Sequence, residues 1–153
     1  MSLEIGQAAP DFSIPIHENQ KVDLNHYQGK KLILYFYPKD DTPGCTLESC
    51  AFRDAYEQIQ ESGANILGIS QDGLASHKKF KEKYALPFDL GADEEGTVCK
   101  LYDVLKQKSM YGRTFWGIER STFLIDEHSK LTHIWRKVSV SGHLKEVLES
   151  LKN

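Results

Sequence analysis

Cysteine is scarce in this chain and comes in an odd number: Cys45, Cys50 and Cys99 are its only three among 153 residues. So few thiols cannot staple a fold, and in a reducing compartment they point to catalysis, metal binding or inert packing. A zinc site fits poorly, because it wants four ligands in close pairs. Cys45 and Cys50 lie five apart, and no His or Cys pair elsewhere completes them. The six histidines (His17, His26, His77, His128, His133, His143) show no ligand spacing either. Long apolar runs are missing: none approaches the roughly 18 residues of a membrane span. Neither charge sign dominates, since the net charge is −3 and no basic stripe offers itself to nucleic acid. Met1–Gly6 lacks the basic and apolar regions of a secretory leader. The expectation is a cytoplasmic protein without membrane or nucleic-acid partners.

What is present is ordinary for a globular protein, with 40% hydrophobic and 27% charged residues. The length suits one domain over residues 1–153. Ala9–Ile16 alternates and carries two prolines, which predicts edge strands or a hairpin. Lys31–Tyr37 is apolar without alternation, as in a central strand buried on both faces. A helix from about Thr42 to Ser62 follows, with Leu47, Ala51, Ala55 and Ile59 on one stripe and Gly63 at its end. Ala64–Ser70 reads as the next strand, Gly73–Tyr84 as a helix with solvated lysines, and Phe88–Leu90 as a short strand. Gly96–Tyr102 is a short helical segment holding Cys99 as a core residue. Residues 106–119, with Phe115 and Trp116, lack periodicity and are assigned to a loop. Ser121–Ile125 and Leu131–Lys137 form an antiparallel hairpin, and Ser141–Leu151 closes the chain as a helix. This order predicts an α/β, thioredoxin-like fold with an N-terminal extension, a mixed central sheet and helices on both faces.

The stretch between the first buried strand and its helix carries the chemistry. Thr42 is a good N-cap residue, Pro43 fits the first helical position, and Cys45 then falls in the first turn. A capping box would place Glu there. A thiolate at that point is stabilised by unpaired backbone N–H groups and the positive helix end, which makes it a nucleophile.

Pro38-x-x-x-Thr42-x-x-Cys45 resembles the peroxiredoxin active-site motif. The longer run Thr42-Pro43-Gly44-Cys45-Thr46-x-Glu48-x-Cys50-x-x-Arg53-Asp54 is similar to that of the bacterioferritin-comigratory, or peroxiredoxin Q, subfamily. Ala9–Phe12, Gly68–Ser70 and Arg120–Asp126 match the subfamily in the same order, so the resemblance spans the chain. It implies a thiol peroxidase acting on hydrogen peroxide and alkyl hydroperoxides and recycled by thioredoxin, with no metal or organic cofactor. It makes Cys45 the peroxidatic cysteine, Thr42 the hydroxyl that holds peroxide and Pro38 the shield of the pocket. Arg120 is the guanidinium near the sulfur, and Cys50 the resolving cysteine. A monomer is expected, with a weak dimer as the variant. A thioredoxin-like disulfide oxidoreductase is the competing enzyme, disfavoured because position 48 of a Cys-x-x-Cys is Glu. A non-enzymatic holdase is the competing class.

Two physical points sharpen these roles. Five residues of α-helix separate Cα atoms by roughly 8–9 Å, whereas a disulfide needs about 4.4–6.8 Å. Cys45 and Cys50 therefore cannot bond within one intact helix, and the first turns are predicted to unwind after oxidation. Glu48 lies one turn beyond Cys45, where its charge opposes the thiolate, so Arg53 or Arg120 is expected to offset it.

Overall fold

The computed structural model describes residues 3–152. In chain order the elements are β1 (Ser13–His17), β2 (Gln20–Asp23), β3 (Lys31–Phe36), α1 (Pro43–Asp54), α2 (Tyr56–Glu61), β4 (Ala64–Ser70) and α3 (Leu74–Tyr84). They continue with β5 (Asp89–Ala92), α4 (Thr97–Leu101), β6 (Leu105–Met110), β7 (Arg113–Ile118), β8 (Ser121–Ile125), β9 (Leu131–Trp135) and α5 (His143–Ser150).

β3 is the middle of a five-stranded mixed sheet in the order β5-β4-β3-β8-β9. β3, β4 and β5 run parallel, and β8 and β9 are antiparallel to their neighbours. Successive side chains of a strand point to opposite faces, and here both faces are covered. Leu32, Leu34 and Phe36 enter a cluster with Val98 and Cys99 of α4 and with Ile14, Ile16 and Val22 of the N-terminal hairpin. Ile33, Tyr35 and Tyr37 enter a second cluster with Phe52 of α1, Ile59 of α2, Phe80 of α3 and Val147 of α5. A strand with two dry faces needs apolar residues at every position, which explains the uninterrupted run. Each fully buried Leu, Ile or Phe contributes about 1.5–3 kcal/mol relative to exposure. The expected mixed sheet with helices on both faces is what these residues build.

Local expectations fail in three places, each for a physical reason. Residues 106–119 are not a loop: β6 and β7 pair in register from Leu105↔Ile118 to Met110↔Arg113. Tyr111 and Gly112 make the turn with φ of 53° and 76°, the left-handed pair that a tight hairpin requires. The strands escape period-2 reading because most of their side chains, Phe115 and Trp116 included, face solvent. The helix expected from Thr42 to Ser62 is two helices, since Ala55 leaves helical geometry at φ −99°, ψ 3°. Nor does Leu47 lie on the buried stripe, being 65% exposed. The buried face of α1 is Cys45, Glu48, Ser49 and Phe52, a spacing of three and four in which polar residues replace apolar ones.

Candidate active site

The parallel crossover from β3 to β4 places the intervening helix start at the carboxyl end of β3, where open α/β sheets put their functional loops. Pro38 opens that loop half-buried, directly after the fully buried Tyr37. Thr42 precedes α1 in extended conformation, φ −96° and ψ 155°. It makes no capping bond, contrary to expectation; its hydroxyl donates instead to the Lys39 carbonyl at 2.9 Å. Pro43 sits at the first helical position, as expected. Cys45 follows in the first turn, 1% exposed.

Arg120 arrives on the chain entering β8, the strand that pairs directly with β3. The β3–β8 register pairs Phe36 with Ser121, so the residue before β8 stands at the carboxyl end of β3. There its two terminal nitrogens divide their work: Nη2 donates to Cys45 Sγ at 3.3 Å, and Nη1 donates to Glu48 Oε1 at 2.7 Å. Charge-assisted bonds of this kind are roughly twice as strong as neutral ones. The expectation that Arg53 or Arg120 offsets Glu48 resolves to Arg120. Arg53 turns outward, to Asp54 at 3.0 Å and to the Tyr84 carbonyl at 2.8 Å.

Glu48 is unusual for a helix carboxylate. Its side chain is 2% exposed, and Oε2 has no hydrogen-bond partner among the described residues. Burial pushes its carboxyl up to about 7, with Arg120 pulling the other way. Near neutrality it is partly protonated, so it opposes an anionic sulfur less than a free carboxylate would.

The scaffold beneath is aromatic. Tyr35 stacks with Tyr37 and leans on Phe52, and its hydroxyl meets Ser49 Oγ at 2.8 Å. That buried bond ties α1 to β3 and accounts for the serine on a dry helix face. Gly44 is the residue sequence reasoning missed at the site itself: a β-carbon there would lie 3.1 Å from Arg120 Nη2. His77 was missed outside the immediate site. It packs against the same loop through Asp40 at 2.7 Å, from 37 residues further along the chain. No local spacing could have announced it.

Cys50 shares α1 with Cys45, half-buried, and all three cysteines are free thiols. The five-residue helical separation therefore stands, with Cα atoms about 8–9 Å apart. Cys99 is fully buried in α4 beside Asp93, and burial, aided by that carboxylate, pushes its thiol far up. It is a core residue.

The structure thus brings Cys45, Arg120 and Glu48 into contact and sets Pro38 and Thr42 on the loop leading to them. A buried sulfur at a helix start with a guanidinium on it is placed where a thiolate would be stabilised.

A sequence model described as the AhpC/TSA family matches residues 5–134. The chain is 49% identical to peroxiredoxin Bcp of Bacillus subtilis over 153 residues, 100% of this chain and 98% of that protein. It is 40% identical to peroxiredoxin Bcp of Escherichia coli K12, covering 98% and 96%. Among solved structures, the bacterioferritin comigratory protein of Xanthomonas campestris, described for alkyl peroxide reduction, superposes with a TM-score of 0.92 at 37% identity, covering 99% and 98%. The chain therefore belongs to the AhpC/TSA family and, within it, to the bacterioferritin-comigratory (peroxiredoxin Q) peroxiredoxins, which makes it a thiol-dependent peroxidase with a thioredoxin-like fold.

Proposed function

We propose that Cys45 is the peroxidatic thiol of this enzyme, acting on hydrogen peroxide and alkyl hydroperoxides, and that Cys50 resolves it. The observation that carries the reading is the Arg120 guanidinium spanning Cys45 and Glu48. The Cys45 thiolate attacks one peroxide oxygen, an S–O bond forms, and the O–O bond breaks. The leaving oxygen takes a proton and departs as water or alcohol, and Cys45 is left as a sulfenic acid. Arg120 Nη2 lies against the sulfur from which charge flows. Thr42 already donates its proton to Lys39, so its oxygen lone pairs are free to accept the hydroperoxide O–H and fix its approach. Pro38 shields the pocket.

The sulfenic acid then condenses with the Cys50 thiol, forming an S–S bond and releasing water. Reaching that bond requires the start of α1 to unwind, because the intact helix holds the two Cα atoms too far apart. A dithiol protein of the thioredoxin type reduces the disulfide. We place the protein in the cytoplasm, where such a reductant operates, as one domain over residues 1–153 and as a monomer. No described helix is long and apolar enough to cross a membrane.

The test is peroxide consumption by wild type, Cys45→Ser and Cys50→Ser. Cys45→Ser abolishes the reaction. Cys50→Ser consumes one equivalent and then stalls unless an external thiol is added. Full activity in Cys45→Ser would overturn the assignment.

A further inference from the structure

The unwinding that the proposed Cys45–Cys50 disulfide requires must stop somewhere, and the loop ahead of α1 is built to stop it. Asp40 is buried and gathers bonds from three directions. Tyr37 Oη donates to its Oδ1 at 2.6 Å, while Ser76 Oγ at 2.8 Å and His77 Nδ1 at 2.7 Å meet its Oδ2. Its backbone N–H donates to Asp72 Oδ2 at 2.8 Å, an oxygen that also receives the Ser70 hydroxyl at 2.7 Å. His77 is fixed from behind by its Nε2, which donates to the Gly91 carbonyl at 2.9 Å. A carbonyl only accepts, so Nε2 carries a ring proton. The pair is nearly dry, with side-chain exposures of 3% and 4%. Next door Asp41, at a left-handed φ of 57°, takes the Lys83 ammonium and the Tyr84 hydroxyl, each at 2.7 Å.

One residue later the anchoring ends. The Thr42 side chain bonds backward, to the Lys39 carbonyl, and its own carbonyl accepts from Thr46 N–H within the helix start. Beyond that the first turn is held from outside by Arg120 on Cys45 and Glu48. The chain thus passes from a loop tied to β4, β5 and α3 into a helical turn one of whose outside ties, Arg120 Nη2 on Cys45 Sγ, is the contact that oxidation of Cys45 alters.

We infer that Asp40 and His77 are positioning residues for the resolving step: they fix the hinge at Asp41 and Thr42, so that α1 unwinds from that point and the loop carrying Pro38 stays in place. The inference rests on the Cys45–Cys50 reading above. Two reactions compete for the sulfenic acid. Condensation with Cys50 gives a disulfide and water; a second peroxide molecule gives a sulfinic acid and water. A fixed hinge confines the freed segment, which limits the entropy gained on opening. Releasing the hinge frees more chain, favours the open form, and shifts the competition towards the disulfide.

The experiment is hydrogen exchange on the reduced protein and on protein treated with one equivalent of hydrogen peroxide, with thiol mapping on the same samples. In oxidised wild type, amides within 45–52 lose protection while the Asp40 amide keeps it. In His77→Phe the loss extends back through Asp40 and into the first turn of α3. That variant forms the disulfide roughly fivefold faster, and the peroxide dose that half-converts Cys45 to sulfinic acid rises about as much. Asp40→Asn, whose amide can still bond Tyr37, Ser76 and a neutral His77, keeps the wild-type boundary. Loss of protection running through Asp40 in oxidised wild type would overturn the inference without any variant, should His77→Phe not fold. An unchanged boundary and dose in folded His77→Phe would overturn it too. Absence of a Cys45–Cys50 bond in wild type would instead remove the reading beneath it, and thiol mapping reports that separately.

Discussion

The guanidinium of Arg120 rests over a residue with no side chain: a β-carbon at Gly44 would stand 3.1 Å from its Nη2. Since Nη2 is the nitrogen that reaches Cys45 Sγ, the hydrogen at position 44 helps to set the sulfur–guanidinium distance. Gly44→Ala should push Arg120 by a few tenths of an ångström and lower the second-order rate with hydrogen peroxide about fivefold. The same change removes a glycine from a helix, worth up to about 1 kcal/mol in favour of folding. Stopped-flow peroxide kinetics beside a thermal melt check this, and a rate loss that merely tracks a lower melting temperature would contradict it.

Replacing Arg120 by Lys keeps the charge and loses the fork. A compact ammonium cannot donate to Cys45 and Glu48 in parallel as two guanidinium nitrogens do. The rate with peroxide should fall by roughly 10²-fold. Iodoacetamide labelling of Cys45 should slow as well, because the loss belongs to the sulfur and not to peroxide binding.

Glu48 makes stability depend on pH with a definite sign. Its carboxyl rises from 4.5 to about 7 on folding because of burial, with Arg120 opposing. The folded protein therefore holds the proton more tightly than the unfolded chain, and this group's contribution to stability declines as pH rises from about 4.5 to about 7. Glu48→Gln cannot titrate. Denaturant melts of both proteins from pH 4 to 8 should give a difference curve that moves in favour of the Gln variant across that window and is flat outside it. A flat difference throughout would show that Arg120 compensates the burial completely.

Cys99 should be a bystander. It is fully buried, and burial with Asp93 beside it disfavours its thiolate. Cys99→Ala should leave turnover within about twofold of wild type and cost roughly 1 kcal/mol through the small void it leaves. Steady-state peroxide assays and denaturant melts measure the two effects separately.

The sequence was most informative where one residue's neighbours decide its surroundings. β3 announced itself by an unbroken apolar run, because two dry faces leave no polar position. Cys45 announced itself by Thr42 and Pro43, because a helix start is a local event. Arg120 was found through the resemblance of its flanking segment, yet its contact with Cys45 depends on the Phe36↔Ser121 register, which no local pattern encodes. The β6–β7 hairpin was hidden for the opposite reason. Strands with most side chains in water carry no alternation, and only Tyr111 and Gly112 betray the turn. The buried face of α1 was misassigned to Leu47 because Glu48 and Ser49 look solvent-facing until Arg120 and Tyr35 supply their partners. Asp40 and His77 lay outside local reading altogether.

The Cys45 side chain belongs to the same packed cluster as Tyr35, Tyr37 and Phe52. On the proposed reading an oxygen atom is added to a sulfur that is itself a buried member of this cluster, 1% exposed. Forcing an extra atom into such a core costs about 1–3 kcal/mol, and a polar atom adds a desolvation penalty to the steric one. On the same proposed reading, oxidation therefore loads the helix start against the cluster beneath it. On that reading, the close packing that buries the reduced sulfur is what favours opening of the first turn once an oxygen is attached.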